Sequence, residues 1–181
     1  LLCFSVAVAV AVAAQDLSLE SSKRPNFNGQ WENLAEVPFQ REIMRVISDP
    51  QVETVVFMKS AQVGATELLS NIIGYYIDQE PSPILVMQPT LNMAQTYSKD
   101  RLAPMLRDTP KLHGKVGDPR SRDSENTVLH KRFAGGHITV VGANSASGLA
   151  SRPIRVLLAD EVDRYPPSAG TEGDPINLAR K

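Results

Sequence analysis

The sequence has little of what most disulfide and metal sites require. Its 181 residues contain one cysteine, Cys3, which excludes a disulfide framework and a cysteine-based metal site. The three histidines, His113, His130 and His137, do not have the spacing of metal ligands. We therefore interpret each histidine as a surface residue or as a hydrogen-bonded residue of the fold.

An excess of positive charge is also missing. The formal net charge is −1 and the sequence pI is about 6.4, which argues against a protein that coats duplex DNA with a uniformly basic surface. A motor that grips DNA through a few loops is still compatible with this charge. Between Arg101 and Arg132 lysines and arginines outnumber acids, and we interpret this cluster as a solvated surface.

A long apolar run occurs only at the N terminus, and it is short for a membrane segment. LLCFSVAVAVAVAA has too few residues to span a bilayer comfortably, and it lacks the basic region that opens a secretory signal. We treat residues 1–25 as an unreliable or disordered extension of a fragment, with a signal peptide as the alternative. Residues 26–181 are expected to form one domain that does not associate with a membrane.

Apolar periodicity predicts alternating strands and helices. Amphipathic patterns predict one helix from Phe39, a second after Gly64, and a third from Thr90 through about Arg101, which Pro104 ends or kinks. Residues 113–132 have no strong period, so we expect them to be lightly structured. Four apolar runs predict buried strands, at 54–58, 84–87, 137–141 and 156–159. The alternation predicts a three-layer α/β fold with a largely parallel central sheet.

The segment after the first predicted strand is similar to a phosphate-binding loop with its lysine displaced. The usual pattern is G-x-x-x-x-G-K-[ST], but here Ala65 stands in the lysine position and Lys59 opens the loop. Backbone N–H groups at a helix start bind phosphate, and the flexible Lys59 side chain would supply the cation. The Thr66 hydroxyl is a candidate Mg²⁺ ligand. An ordinary strand-to-helix turn is the alternative. The predicted nucleotide-binding stretch is Lys59, Ser60, Ala61, Gln62, Val63, Gly64, Ala65 and Thr66.

A second stretch, RVLLADEVD at 155–163, has an apolar strand that ends in two adjacent carboxylates. Asp160 at the strand tip is a candidate to hold the Mg²⁺ shell, and Glu161 is a candidate general base for the attacking water. A solvated acidic turn is the alternative for this stretch alone. Because the loop and the acidic strand follow in the order that a nucleotide site needs, we predict a site for ATP and Mg²⁺.

A third stretch, VPFQREIM, stands upstream of the loop. The amide of Gln40 can pair with the N6/N7 edge of adenine, and Phe39 can stack on the face of the base. A helix-capping polar residue beside a core aromatic is the alternative interpretation.

Three segments together resemble a known family: WENLAEVPFQREIM (31–44), VVFMKSAQVG (55–64) and ADEVDRYP (159–166). The chain resembles, over roughly residues 26–181, the ATPase domain of the lambda-like (GpA) large terminase subunits, the DNA-packaging motors of tailed phages. The displaced lysine is a feature of that family. The resemblance implies an ASCE-type, RecA-like P-loop ATPase in the host cytoplasm. It also implies a homo-oligomeric ring that packages viral double-stranded DNA with a small terminase subunit, a portal and a prohead.

The resemblance further implies a C-terminal nuclease domain, which we do not assign to these residues. Some relatives carry an arginine where this sequence has Gln62. The main competing interpretation is a superfamily 2 helicase-like ATPase, which normally continues Asp-Glu with Ala, Cys or His rather than with Val162. An inactive prophage remnant is a second competing interpretation. A secreted binding protein is a third, and it depends only on the apolar run at the N terminus.

Overall fold

The computed structural model describes residues 4–10, 23–25, 31–33, 38–47, 49, 51–59, 65–117, 126–150 and 153–180. The strands are β1 (Phe4–Val10), β2 (Lys23–Pro25), β3 (Trp31–Asn33), β4 (Thr54–Lys59), β5 (Ile84–Gln88), β6 (His130–Phe133), β7 (Gly136–Gly142) and β8 (Val156–Ala159). The helices are α1 (Pro38–Ile47), α2 (Ala65–Asp78), α3 (Leu91–Tyr97), α4 (Ala103–Asp108), α5 (Ala146–Leu149) and α6 (Pro175–Ala179).

Six of the described strands form one sheet in the order β4-β1-β8-β5-β7-β6. β5 pairs in parallel with β7 and with β8. β1 is antiparallel to both β4 and β8, and β6 is antiparallel to β7. Strands β4, β8, β5 and β7 therefore point the same way. The predicted α/β class is confirmed, with a mixed sheet in which β1 and β6 are reversed.

The four strands predicted from apolar runs are confirmed as β4, β5, β7 and β8. The expectation that all four are buried is wrong for β4, where Val56 and Met58 are 64% and 68% exposed, because one face of this edge strand is left uncovered. Strand β6 was not predicted, because three of the four residues in its sequence HKRF are polar or charged. Its alternation becomes visible only in the structure, where Lys131 and Phe133 are buried and Arg132 is exposed.

Residues 4–10 lie within the predicted N-terminal extension, yet they form β1 between β4 and β8. The local reason is the sequence FSVAVAV, in which β-branched valines recur at every second position. The proposed boundary between residues 25 and 26 stays a prediction.

The central strand β5 is buried on both of its faces. Along β5, Ile84 and Val86 belong to one hydrophobic cluster with residues of α1 and α2. Leu85 and Met87 belong to a second cluster with residues of α5 and α6. This period of two is what a strand covered on both sides requires, since successive side chains point to opposite faces.

The third predicted helix continues farther than expected. A π-helical turn at Ser98–Leu102 joins α3 to α4, and the helical run ends only at Asp108. Pro104 lies in the first turn of α4, directly after the π-helical turn, and the helical run continues past it, so the proline does not end the helix. The predicted lightly structured region contains β6, and its residues 118–125 lie outside the described part. Among the described helices, none has the length and apolarity to cross a bilayer.

Candidate functional site

The ends of four strands meet along one side of the sheet, which we name the carboxyl edge. It is formed by Lys59 at the end of β4, Asp160 and Glu161 after β8, Gln88 at the end of β5 and Gly142 at the end of β7. In open α/β sheets, ligands bind outside the carboxyl ends of parallel strands. The two predicted catalytic stretches therefore open toward the same side.

The predicted strand before the loop and the predicted helix after it are confirmed. β4 ends at Lys59 at the carboxyl edge, and α2 begins at Ala65. The loop itself, Ser60, Ala61, Gln62, Val63 and Gly64, lies outside the described residues, as does the side chain of Lys59. Their phosphate contacts stay predictions.

The start of α2 supplies the described part of this loop. Ala65, which stands where the usual pattern has its lysine, is only 4% exposed. Thr66 is half-buried in the first turn, and its carbonyl accepts a hydrogen bond of 3.0 Å from Ser70 Oγ. A packed alanine leaves little room for a long charged side chain, which is consistent with a cation placed elsewhere in the loop.

The strand register relates Lys59 to the acidic pair. Val56 and Ala159 both lie opposite Ala7 of β1, so Asp160 is level with the residue after Val56. Lys59 therefore extends two residues past Asp160, about 7 Å along the strand direction. One strand lies between β4 and β8, which separates their backbones by about 10 Å.

Asp160 is buried and held by the neighbouring strand β5. Its backbone is fixed by a 3.1 Å hydrogen bond from its N–H to the Met87 carbonyl. Gln88 Nε2 donates a hydrogen bond of 3.3 Å to Asp160 Oδ2, and both residues are less than 10% exposed. The carboxylate therefore has an orienting partner that carries no charge.

Glu161 has a different environment from its neighbour. Its φ of 52° and ψ of 46° make it the one non-glycine residue of the described ranges with a positive φ. That conformation costs about 1–2 kcal/mol for an L-residue, and strained residues cluster at functional sites. Arg164 Nη1 lies 3.1 Å from Glu161 Oε2 in an ion pair across the short turn Val162–Arg164.

Tyr165 anchors the segment after Glu161 to β5. Its hydroxyl donates a hydrogen bond of 2.9 Å to the Met87 carbonyl. Burial raises the pKa of Tyr165 far above its ordinary value, and the negative charges of Asp160 and Glu161 raise it further. The hydroxyl therefore stays protonated and keeps donating to the sheet.

The far side of the carboxyl edge is closed by α3. A Cβ atom at Gly142 would lie 2.6 Å from the Leu91 backbone nitrogen, so only glycine allows this approach of β7 to the helix. Thr90 caps the helix, and its hydroxyl accepts a hydrogen bond of 3.2 Å from the Met93 N–H.

The oxygen ligands at this edge fit Mg²⁺ that arrives with a nucleotide. The described residues contain no group of three or more His, Cys, Asp or Glu side chains that could hold a metal. Asp160 offers a buried carboxylate, and Thr66 offers a hydroxyl in the first turn of α2. Mg²⁺ commonly uses one or two carboxylates together with substrate phosphates and waters, rather than a cage made by the protein.

The remaining predicted residues have separate outcomes. Phe39 and Gln40 lie in the first turn of α1, but their side chains are outside the description, so adenine binding stays a prediction. The interpretation of the histidines is confirmed for His130, which hydrogen-bonds to Thr139 Oγ1 at 3.0 Å. It is also confirmed for His113, which hydrogen-bonds to the Arg107 carbonyl at 2.6 Å.

Three residues of the site were not selected from the sequence: Gln88, Arg164 and Tyr165. A polar residue that ends an apolar strand was the available signal for Gln88. Arg164 and Tyr165 follow the acidic pair closely, but their partners depend on how the turn at Glu161 folds back.

Comparison with known proteins agrees with this geometry. The profile of the family described as phage terminase large subunit gpA, ATPase domain, matches residues 26–181. The chain is 31% identical over 166 residues to the terminase large subunit of Enterobacteria phage P21, which covers 91% of this chain and 25% of that protein. It is 29% identical over 154 residues to the terminase large subunit of Escherichia phage lambda, which covers 84% of this chain and 24% of that protein.

The chain thus spans about a quarter of the length of these curated relatives. No solved structure matches it. Because the family profile covers most of the chain and includes both the loop and the acidic strand, the chain belongs to the family of phage terminase large subunit gpA ATPase domains.

Proposed function

We propose that this chain is the motor domain of a phage terminase large subunit, which hydrolyses ATP to drive viral double-stranded DNA into proheads. The observation that carries the proposal is the carboxyl edge. There, the buried Asp160 and the adjacent Glu161 follow the end of β8. The end of β4 and the start of α2, which flank the predicted loop, lie on the same side of the sheet. This arrangement is typical of the P-loop NTPase class, to which we assign the fold.

Each part of the edge has a role in binding ATP. Residues 59–66 would hold the phosphates through backbone N–H groups and the start of α2, with Lys59 as the cation. Because β1 fills the space between β4 and β8, the phosphates would lie beyond the strand ends at the carboxyl edge rather than between the two backbones. Phe39 and Gln40 would hold the adenine.

Hydrolysis requires a water molecule to attack the γ-phosphorus as the bond to the β–γ bridging oxygen breaks. Glu161 would orient that water and accept its proton, and ADP would leave with the electron pair of the broken bond. Asp160 and Thr66 would hold Mg²⁺, which offsets the negative charge of the phosphates when it is bound. Asp160 is buried beside Gln88, whereas Glu161 is partly exposed and paired with Arg164, so the two carboxylates have the different surroundings that two separate roles require.

The partners follow from family membership and are part of the proposal. They are the viral double-stranded DNA, a small terminase subunit, the portal and prohead, and further copies of the chain in a ring in the host cytoplasm. A neighbouring copy could supply an arginine to the transferred phosphoryl group, a contribution of about 10³–10⁵ in rate in related chemistry.

The displaced lysine provides the direct test. We expect Lys59→Ala to abolish ATP hydrolysis and to weaken ATP binding sharply, because no other residue of the predicted loop carries positive charge. Binding is measured by titrating a fluorescent ATP analogue, and hydrolysis by phosphate release. Lys111→Ala, at an exposed position of a short helical turn, is the matched control and should behave like the unaltered protein. Full ATPase activity in Lys59→Ala would exclude the proposed site, and an unaltered protein that neither binds nor hydrolyses ATP would favour the inactive remnant.

A further inference from the structure

Gln88 occupies an unusual position for an uncharged polar side chain. It is the last residue of β5, it is 3% exposed, and it lies level with Asp160 because Met87 pairs with Ala159. Burying an amide is unfavourable unless it is hydrogen-bonded. Its Nε2 donates to Asp160 Oδ2 at 3.3 Å, across a sequence separation of 72 residues.

The backbone around Gln88 is fixed from two sides. Its carbonyl accepts a 2.8 Å hydrogen bond from the Ala143 N–H, just beyond β7. The preceding carbonyl, that of Met87, accepts hydrogen bonds from the Asp160 N–H and from the Tyr165 hydroxyl. The amide of Gln88 therefore extends from a backbone that the neighbouring segments on both sides hold in place.

An amide affects a carboxylate differently from an arginine or lysine. It donates a directional hydrogen bond, which restricts the rotation of the carboxylate, but it adds no positive charge. The hydrogen bond from Gln88 therefore does not itself neutralise the charge of Asp160. A basic residue in the same place would pair with that charge and compete with the metal.

We propose that Gln88 is a positioning residue that holds the Asp160 carboxylate in the orientation in which it receives nucleotide-bound Mg²⁺. Gln88 acts through Asp160 and does not contact the nucleotide. The inference rests on the proposed function, because it assigns a role within that same site.

The test measures nucleotide binding rather than turnover. A fluorescent non-hydrolysable ATP analogue is titrated into the protein at a series of Mg²⁺ concentrations and again in EDTA. We expect Gln88→Leu to raise the Mg²⁺ concentration needed for half-maximal binding about tenfold, which is typical for losing a hydrogen bond to a charged group. Affinity in EDTA should stay unchanged. If Gln88→Leu folds poorly, Gln88→Asn takes its place as the test variant. It keeps an amide but is one methylene shorter, so it should shift the Mg²⁺ requirement in the same direction.

Two comparisons separate positioning from a purely structural role. Ser82→Ala removes a buried hydrogen-bonding side chain near the other end of β5, so it should lower thermal stability and leave the Mg²⁺ requirement unchanged. In an Asp160→Asn background, Gln88→Leu should cause no further shift, since the residue through which Gln88 acts is already altered.

The outcomes distinguish the two hypotheses. If the unaltered protein shows Mg²⁺-dependent binding that Gln88→Leu and Gln88→Asn leave unchanged, the role of Gln88 is wrong and the proposed function stands. If Gln88→Leu raised the Mg²⁺ requirement by the same factor in the Asp160→Asn background as in the unaltered protein, the positioning role would likewise be overturned. If the unaltered protein binds no nucleotide, the proposed function fails and the role of Gln88 fails with it.

Discussion

Strands β5 and β8 lie side by side, and an acidic residue marks each end of the pair. At the carboxyl edge, Asp160 is hydrogen-bonded by the amide of Gln88. At the opposite end, which we name the amino edge, Glu80 forms an ion pair with Arg155, and Arg155 Nη1 also donates to Ser82 Oγ at 3.3 Å. The two acids are thus joined to the neighbouring strand by chemically different partners.

This difference in partners parallels the different roles that we propose for the two acids. The guanidinium of Arg155 neutralises Glu80 and links the start of β8 to the segment before β5. The amide of Gln88 donates a hydrogen bond to Asp160 and adds no positive charge of its own. The proposed roles, a link between strands for Glu80 and a metal ligand for Asp160, are compatible with these two kinds of partner.

The backbone conformation also differs between the two edges. At the carboxyl edge, Glu161 adopts the left-handed conformation, which is costly for an L-residue. At the amino edge, residues with positive φ are absent from the described segment 75–84, and Tyr75 and Tyr76 pack edge-to-face at 5.2 Å. Among the non-glycine residues of the described ranges, a positive φ is therefore found only at the edge where chemistry is proposed.

The largest expected effect tests the role of the carboxyl edge. Glu161→Gln should lower the rate of ATP hydrolysis by about 10²–10⁴-fold, because the amide cannot accept the proton of the attacking water. ATP binding should persist, since Glu161 is not proposed to hold the metal or the phosphates. The measurements are single-turnover phosphate release and analogue binding.

Glu80→Gln is the matched control for Glu161→Gln, because it makes the same chemical change at the amino edge. Its hydrolysis rate should stay within a few-fold of the unaltered protein. If both variants lost activity equally, the assignment of catalysis to the carboxyl edge would be contradicted.

A smaller effect is expected at the amino edge, and it concerns stability. Arg155→Met should lower the free energy of unfolding by about 1 kcal/mol, because it breaks a partly exposed ion pair while keeping the aliphatic stem. Urea unfolding measures the change, and analogue binding should be unaltered. A loss of Mg²⁺-dependent binding in Arg155→Met would show that the two ends of β8 are not separate in function.

The smallest effect is a pH dependence near the amino edge, at the end of α2. Burial raises the pKa of Asp78, but hydrogen bonds from Lys115 and Gln79 and the charge of Lys115 outweigh burial, so its pKa lies below the ordinary value. A lowered folded-state pKa stabilises the fold above the unfolded pKa of about 3.9, and this contribution is lost as the pH falls through the folded pKa.

Lys115→Met isolates this contribution. Its free energy of unfolding should be lower than that of the unaltered protein by up to about 1 kcal/mol at pH 6, and the difference should shrink below about pH 4. Urea unfolding at several pH values from about 6 down to about 3 measures it. A difference that grew on acidification would show that Asp78 is not the partner that Lys115 stabilises.

The sequence by itself determined the local strands and helices and the order in which the stretches of the candidate site follow along the chain. Apolar runs such as 84–87 and 156–159 specify buried strands because side-chain periodicity is a local property of the chain. The Asp-Glu pair at the end of an apolar strand placed Asp160 and Glu161 at a strand tip for the same reason. The strand before the loop and the helix after it followed from the same patterns.

The tertiary structure decided which distant residues meet. The insertion of β1 between β4 and β8 and the register that sets Gln88 level with Asp160 both depend on pairing between segments far apart in the sequence. The hydrogen bond that anchors Tyr165 to β5 likewise joins residues 78 positions apart in the sequence. Such pairings are selected by the packing of the whole sheet, which no local periodicity encodes.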